Sequence, residues 1–303
     1  MTKRYVLRNS NQTAPQLSGL DYRKELNEAQ YRAATTIEGP LLIVAGAGTG
    51  KTRTLVFRVA HLIDIGVDPK SILLLTFTRR AAEEMLRRAA ALIDNRCSQV
   101  AGGTFHSFAN LVLRQFGPRI EIAPSFTIMD RSDSEDAIQL MRAELGLSHK
   151  DKRFPRKQTV AEIFSMALNK QITVPDLVER DYPHLYDSLD DLLRLYENYT
   201  NYKRAKALLD YDDLLIGLRD LLKNHEAVAQ RLSEVYQFIM VDEYQDTNHL
   251  QAQIIRLMAA SHDNVAVVGD DAQSIYSFRG ANFRNIMDFP KIFPGTQIIK
   301  LEE

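Results

Sequence analysis

The feature that most constrains this chain is a glycine-rich segment directly after a short aliphatic run. Residues 41–44 are Leu-Leu-Ile-Val, and an amphipathic stretch begins at residue 52. The glycine-rich segment extends from residue 45 to residue 52, where the amphipathic stretch begins. It consists of Ala45, Gly46, Ala47, Gly48, Thr49, Gly50, Lys51 and Thr52. Glycines let the backbone curl so that successive N–H groups point at one anion, and a following helix N-terminus adds partial positive charge. The order strand, glycine-rich loop and helix therefore predicts a phosphate-binding loop.

Lys51 and Thr52 are the residues of this loop that carry chemistry. A lysine there can reach the β- and γ-phosphates of a nucleotide, and a threonine hydroxyl can ligate Mg²⁺. The strict pattern begins with glycine, where this chain has Ala45, but its Gly-Lys-Thr end is intact. A glycine-rich turn without a ligand is the alternative, and the intact end favours a phosphate site.

Two acidic residues follow another apolar run. Residues 238–241 are Phe-Ile-Met-Val, and Asp242 and Glu243 come next. A carboxylate at a strand tip can hold Mg²⁺, usually through water. Its neighbour can accept a proton from the water that attacks a γ-phosphate. A solvated turn is the alternative, but together with a phosphate loop the pair predicts nucleotide hydrolysis.

Short apolar runs alternate with helical patterns at both ends of the chain. Apolar sequence on both sides of a strand is typical of a parallel sheet covered by helices on both faces. The predicted strands are 41–44, 71–77, 100–105, 238–241, 265–268 and 297–301. The alternation predicts an α/β fold with a mainly parallel, doubly wound sheet.

The middle of the chain differs, because residues 118–206 contain almost no strand-like run. Helical apolar spacing at 134–145, 159–170 and 189–209 predicts a mainly helical insertion between two halves of one sheet. A basic loop at 150–157 is either a solvated surface or a contact to nucleic-acid phosphates. The predicted organisation is a flexible leader at 1–20, an α/β domain at 21–118 and 205–303, and a helical insertion at 119–204.

Composition narrows the class of protein. The 303 residues carry a net charge of −1, so no overall attraction to nucleic acid or membrane follows. Cys97 is the only cysteine, which excludes an intrachain disulfide and a multi-cysteine metal site and favours a reducing, intracellular setting. No apolar run approaches the roughly 18 residues that span a bilayer. We therefore expect a cytoplasmic protein without a membrane partner.

Six segments in a fixed order carry the most specific signal. They include Asp-Glu-Tyr-Gln-Asp at 242–246 and Gly-Thr-Phe-His-Ser-Phe at 103–108, and the others are 26–30, 76–85, 210–214 and 268–281. In sequence and order they resemble the motifs of superfamily 1 helicases of the UvrD/Rep/PcrA type. The resemblance covers nearly the whole chain. It implies a RecA-like P-loop NTPase domain interrupted by a helical subdomain.

The resemblance implies roles at an ATP site. Gln30 is expected to read the adenine edge, and Arg53 to lie near the nucleotide. The residues expected to act in catalysis are Lys51, Asp242, Glu243 and Gln273. Among these, Asp242 would hold the metal with Thr52, Glu243 would activate water, and Gln273 would sense the γ-phosphate. The cofactors implied are ATP and Mg²⁺.

The resemblance also implies a surface for single-stranded DNA. The residues expected there are Thr76, Phe77, Arg79, Arg80, Thr104, Phe105, His106, Tyr276, Phe278 and Arg279. Tyr276 and Phe278 would stack on bases, at about 1 to 3 kcal/mol per base, and the arginines would grip phosphates. Phe77 and Phe105 as core aromatics, and His106 as a structural histidine, remain alternatives.

The implied function is ATP-dependent 3′ to 5′ translocation on single-stranded DNA and duplex unwinding, by a nucleoid-associated protein. Expected partners are single-stranded DNA, duplex junctions and repair or recombination proteins. The family's second RecA-like half, with its arginines, is expected beyond residue 303, so the isolated chain should bind nucleotide weakly and hydrolyse it little. Two alternatives are the motor of an AddA/RecB-like helicase-nuclease and a nucleotide-gated DNA-binding module without turnover.

Overall fold

The central feature of the fold is a six-stranded sheet in which all neighbouring strands run parallel. The computed structural model describes residues 18–147, 154–270 and 284–301. The strands of these residues are β1 (Leu41–Ala45), β2 (Ile72–Thr76), β3 (Ala101–Thr104), β4 (Thr127–Ile128), β5 (Leu208–Leu209), β6 (Phe238–Val241), β7 (Val265–Gly269) and β8 (Gln297–Leu301). The sheet order is β3-β2-β6-β7-β1-β8. Each of the six predicted runs forms one of these strands, which confirms the α/β fold.

Helices connect the strands and cover the sheet. Those of the described residues are α1 (Tyr22–Glu25), α2 (Glu28–Thr35), α3 (Lys51–Asp64), α4 (Arg79–Leu92), α5 (Phe105–Phe116), α6 (Arg131–Glu144), α7 (Lys157–Lys170), α8 (Val174–Asp181), α9 (Leu189–Ala205), α10 (Tyr211–Asn224), α11 (Glu226–Val235), α12 (His249–Met258) and α13 (Arg284–Ile292). None of them is long and apolar enough to cross a membrane.

Alternate residues of each central strand enter two different hydrophobic cores. In β2, Leu73 and Leu75 pack with α5, α10 and α12, whereas Ile72 and Leu74 pack with α3 and α4. Successive side chains of a strand point to opposite faces, so a strand that is apolar at every position has both faces buried. This explains why the runs are continuous rather than alternating.

The helical insertion has its own core, formed by α6, α7, α8 and α9. Three of these helices correspond to the predicted helical segments, whereas α8, of only eight residues, was not predicted. Strands β4 and β5 pair where the chain leaves and re-enters the sheet domain. Helix α9 ends before the predicted limit of 209, because Ala207 has a left-handed φ of 49° and β5 follows it. The exact domain limits stay a prediction.

The carboxyl ends of the parallel strands lie at one edge of the sheet, where ligands of open α/β sheets bind. The glycine-rich loop follows β1, the acidic pair follows β6, and residue 270 follows β7. The order β6-β7-β1 therefore brings these three strand ends next to one another. Of the predicted leader, residues 18–20 are described, and Ser18 donates two hydrogen bonds to the Asp64 carboxylate.

Candidate functional site

The glycine-rich loop adopts a conformation that two of its glycines require. Gly48 and Gly50 have φ values of 85° and 87°, in the left-handed region that favours glycine. A Cβ atom at Gly50 would also lie 2.6 Å from the side-chain nitrogen of Gln30. Helix α3 begins at Lys51, so its first backbone N–H groups lie at the end of the loop. The local structure is that of an anion-binding turn.

Gln30 holds this loop from the side of helix α2. Asn27 caps α2, and its side chain and that of Gln30 each accept a hydrogen bond from the other residue's backbone N–H. The Gln30 Nε2 atom donates to the Thr49 carbonyl oxygen at 3.0 Å. The amide assigned to the adenine thus contacts the loop itself, and its adenine contact stays a prediction.

Two arginines of α3 connect the loop helix to the preceding helices. Arg53 donates to the backbone and side-chain oxygens of Glu25, at 2.7 and 3.0 Å. Arg58 is buried, and its guanidinium donates to the carbonyl oxygens of Ala33 and Thr36 at the end of α2. Burial lowers the pKa of Arg58 to about 10. Arg58 is not among the residues predicted from the sequence, although an arginine within the otherwise apolar run 55–60 is a signal for a buried, functional or structural cation.

Lys51 faces two carboxylates from neighbouring strand ends. Its Nζ atom lies 3.5 Å from Glu243 Oε2 and 3.3 Å from Asp270 Oδ2. The predicted lysine and the predicted water-activating glutamate are therefore together in the fold. Asp270 was part of a quoted motif without an assigned role, and it is almost fully buried. Asp270 lies near Lys51 because β7 pairs with β1 in the sheet.

Asp242 is a buried carboxylate whose charge is incompletely compensated. Its Oδ1 atom has no hydrogen-bond partner among the described residues. Burial, and then the charge of Glu243, raise the pKa of Asp242 to about 6. Asp242 and Thr52 line the same cleft of about 430 Å³. A hydroxyl and a carboxylate with an unpaired oxygen are donors that fit Mg²⁺, which keeps waters and substrate phosphates as its other ligands.

Glu243 is held in an uncommon backbone conformation. Its φ and ψ are both 49°, a left-handed geometry for a residue with a side chain. Gln245 donates from Nε2 to Glu243 Oε2 at 2.6 Å and accepts from the Asp270 N–H at 3.0 Å. Gln245 belongs to the Asp-Glu-Tyr-Gln-Asp motif at 242–246, and the sequence assigns it no role. No sequence pattern indicates these two partners, because they come from different strand ends.

The predicted DNA-contacting residues that the structure describes range from exposed to buried. Phe77 follows β2 with 59% of its surface exposed. Arg79 and Arg80 are exposed at the start of α4. His106 packs edge-to-face against Tyr211, with ring centroids 5.6 Å apart. Tyr211 is 49% exposed and was not among the predicted residues. Phe77 and His106 follow the carboxyl ends of β2 and β3, which lie at the same edge of the six-stranded sheet as the glycine-rich loop.

Three of the predicted residues have structural contacts: Thr76 and Phe105 are buried, and Thr104 is half-buried. Thr76 donates from Oγ1 to the Thr78 carbonyl oxygen at 2.7 Å. Thr104 caps α5 through a hydrogen bond from the Ser107 N–H. The Phe105 ring is only 4% exposed and belongs to the core that contains α10 and α12. The Phe105 ring thus packs in the core, as in the alternative of a core aromatic, and a DNA contact at this position stays a prediction.

Four predicted site residues, Gln273, Tyr276, Phe278 and Arg279, lie outside the described residues, and their roles stay predictions. The same holds for residues 150–153 of the basic loop at 150–157. Lys157, at its end, pairs with Asp136 at 2.5 Å.

Comparison with known proteins agrees with this geometry. Residues 26–294 match the family described as UvrD/REP helicase N-terminal domain. Over 282 residues, 92% of this chain, the sequence is 39% identical to the ATP-dependent DNA helicase PcrA of Leuconostoc citreum and covers 37% of it. It is 35% identical to the proteins of that name from Staphylococcus epidermidis and Staphylococcus aureus, and 92% of this chain aligns in both cases. The alignment covers 38% of the Staphylococcus epidermidis protein and 37% of the Staphylococcus aureus protein. The chain spans 37–38% of the length of these curated relatives. With a family match over most of its length, the chain belongs to the UvrD/REP helicase N-terminal domain family.

Proposed function

We propose that this chain binds ATP with Mg²⁺ and single-stranded DNA as the N-terminal motor domain of an ATP-dependent DNA helicase. The observation that carries the proposal is the convergence of Lys51, Asp242 and Glu243 at one strand edge, beside the glycine-rich loop. The names of the relatives favour a helicase over a helicase-nuclease or a binding module without turnover. The 3′ to 5′ direction, nucleoid association and repair or recombination partners are further predictions from the resemblance.

The nucleotide site is proposed to work as follows. The loop N–H groups and the α3 N-terminus bind the phosphates. Lys51 exchanges its contacts with Glu243 and Asp270 for phosphate oxygens. Thr52 and Asp242 hold Mg²⁺, which when bound neutralises charge on the β- and γ-phosphates. Glu243 accepts the proton of the attacking water.

The DNA surface is proposed to combine rings with cations. Phe77 and Tyr211 offer exposed aromatic faces on which bases can stack. Arg79 and Arg80 are placed beside Phe77 to contact phosphates. Phe77 belongs to this surface and also lines the cleft, as do several residues of the segment 76–88 that follow it. The segment therefore borders both the surface and the cleft. Movement of that segment on nucleotide binding would couple hydrolysis to the DNA strand.

Binding of a fluorescent ATP analogue to the purified chain tests the nucleotide site. We expect Mg²⁺-dependent binding that Lys51→Ala weakens at least tenfold, because the lysine provides the phosphate charge. Lys157→Ala is the matched control, since that lysine pairs with Asp136 on the helical insertion. Equal affinity in Lys51→Ala and wild type would contradict the proposal.

Binding of a labelled single-stranded oligonucleotide tests the DNA surface. Phe77→Ala should weaken it about fivefold to a hundredfold, as expected for one lost stacking contact. Tyr186→Ala removes an equally exposed ring from the helical insertion and should leave the affinity unchanged. If both variants bind like wild type, the stacking role of Phe77 is wrong.

A further inference from the structure

Gln245 occupies a position between the proposed catalytic glutamate and the end of β7. It lies in the turn Tyr244–Asp246 and is almost completely buried. The backbone N–H of Asp270 can only donate, so the atom of Gln245 that faces it at 3.0 Å is Oε1. The side-chain NH₂ group of Gln245 therefore faces Glu243. The orientation of the amide follows from the chemistry of its two partners.

This contact determines which oxygen of Glu243 is engaged. Gln245 Nε2 lies 2.6 Å from Glu243 Oε2, and Lys51 Nζ lies 3.5 Å from the same oxygen. A carboxylate held at one oxygen by two donors has a defined direction, and its second oxygen is the one available to a water. The left-handed backbone of Glu243 adds local strain, which persists where surrounding contacts fix it.

The surroundings are shaped to admit the Gln245 side chain. A Cβ atom at Gly269 would lie 3.0 Å from Gln245 Oε1 and 2.7 Å from Ile286 Cδ1. Glycine at the end of β7 thus leaves room for the amide on one side and for α13 on the other. Because Asp270 also contacts Lys51, Gln245 connects the acidic turn after β6 to the strand end that faces the phosphate loop.

We propose that Gln245 is a positioning residue for ATP hydrolysis: its amide holds the Glu243 carboxylate in the direction needed to take a proton from water, and anchors it to the backbone of Asp270. This inference rests on the proposed function of the cleft. It predicts that losing the amide slows the chemical step and leaves nucleotide affinity almost unchanged.

A thermal-unfolding cycle tests the contact without requiring activity. Gln245→Glu keeps the acceptor for Asp270 but puts a carboxylate against Glu243, so we expect a lower Tm at pH 7.5. The double variant Glu243→Gln with Gln245→Glu exchanges donor and acceptor, so the hydrogen bond can form again. Its Tm should therefore be close to that of Glu243→Gln alone, with most of the loss caused by Gln245→Glu recovered. Additive shifts in the two single variants would overturn the proposed contact.

Single-turnover phosphate release, with protein in excess over ATP and with single-stranded DNA present, tests the role in hydrolysis. We expect Gln245→Glu and Gln245→Met to slow the rate about tenfold to a hundredfold, with affinity for the fluorescent ATP analogue within about twofold of wild type. Gln251→Glu is the matched control, because Gln251 belongs to the capping box of α12 and a glutamate keeps that cap.

The outcomes separate the two proposals. If the wild-type chain hydrolyses ATP and the Gln245→Glu and Gln245→Met variants hydrolyse it at the same rate, the positioning role alone is overturned. A wild type that neither binds the analogue nor releases phosphate overturns the function of the cleft, and with it the role in hydrolysis; the thermal cycle then still decides whether Gln245 holds Glu243. A fall in analogue affinity equal to the fall in rate would make Gln245 a binding residue and also contradict the proposal.

Discussion

Lysines face paired carboxylates in two regions of this molecule, and the two clusters differ in how completely their groups are satisfied. At the junction of α9 and α10, Lys203 Nζ lies 2.6 Å from both Asp210 and Asp213. In the cleft, Lys51 lies 3.3 and 3.5 Å from its carboxylates, and the neighbouring Asp242 Oδ1 has no partner among the described residues. The junction cluster is tightly paired, whereas the cleft cluster is loosely paired.

The junction also contains further hydrogen bonds. Tyr199 donates to Asp210 at 2.9 Å. Burial acts to lower the pKa of Lys203, but the two carboxylates hold it above its ordinary value. Nearby, Asn169 of α7 donates to Asp212 at 2.7 Å and accepts from Asn248 of α12 at 2.7 Å. These bonds connect the helical insertion to the sheet domain.

The difference teaches how to separate structural charges from functional ones. Buried polar groups in native proteins are generally hydrogen-bonded, so an unpaired buried carboxylate needs an explanation. At the junction, the protein itself supplies the partners, and the cluster stabilises the fold. In the cleft, a metal ion and phosphates are the partners that would complete the set, which supports the proposed binding site.

The largest expected effect comes from Lys203→Met. It leaves two largely, though not fully, buried carboxylates without their cation, so it should lower the free energy of unfolding by about 3 to 5 kcal/mol. Urea unfolding at pH 7.5 measures this. Lys157→Met is the control, because its pair with Asp136 is solvent-exposed and should contribute at most about 1 kcal/mol. Equal losses in both variants would contradict the structural role of the junction cluster.

A smaller loss is expected from Asn169→Ala, which removes one partner each from Asp212 and Asn248. Leaving buried polar groups less well paired should lower the free energy of unfolding by about 1 to 3 kcal/mol. Asn198→Ala, which removes an exposed amide bonded to the Arg194 carbonyl oxygen, should change it by less than about 0.5 kcal/mol. Urea unfolding of the two variants side by side decides whether this bridge stabilises the fold.

The smallest effect, and of opposite sign, is expected from Asp242→Asn. The pKa of Asp242 is raised to about 6 in the folded chain, chiefly by burial. The folded state therefore favours the protonated form, and ionisation costs stability as pH rises from about 4 to 6. Removing the charge should raise the free energy of unfolding by about 1 to 2 kcal/mol at pH 7.5.

This gain should largely disappear near pH 4, because Asp242 is then protonated in the folded wild type and no longer carries a buried charge. Urea unfolding at both pH values checks it. A destabilised Asp242→Asn would place Asp242 with the structural groups of the junction rather than with the binding site.

Much of the sheet, and the segments that form the proposed nucleotide site, could be predicted from the sequence. The strands were predictable because buried parallel strands are continuous apolar runs, and the loop because its glycines and Lys51 lie next to one another along the chain. Arg58, Gln245 and Tyr211 were not predicted. The contacts of Arg58 and Tyr211, and that of Gln245 with Asp270, join segments far apart in sequence, and no local pattern specifies such partners.

The amino-acid sequence by itself determined the α/β alternation, the phosphate loop and the acidic turn, since each depends on residues within one short segment. Only the tertiary structure decided which charges meet. The strand order β6-β7-β1 brings Glu243 and Asp270 to Lys51, and the packing of α5 on the sheet turns Phe105 inward. Distances between side chains from different strands depend on how the whole chain packs, and that packing is what distinguishes a paired structural charge from one left available to a ligand.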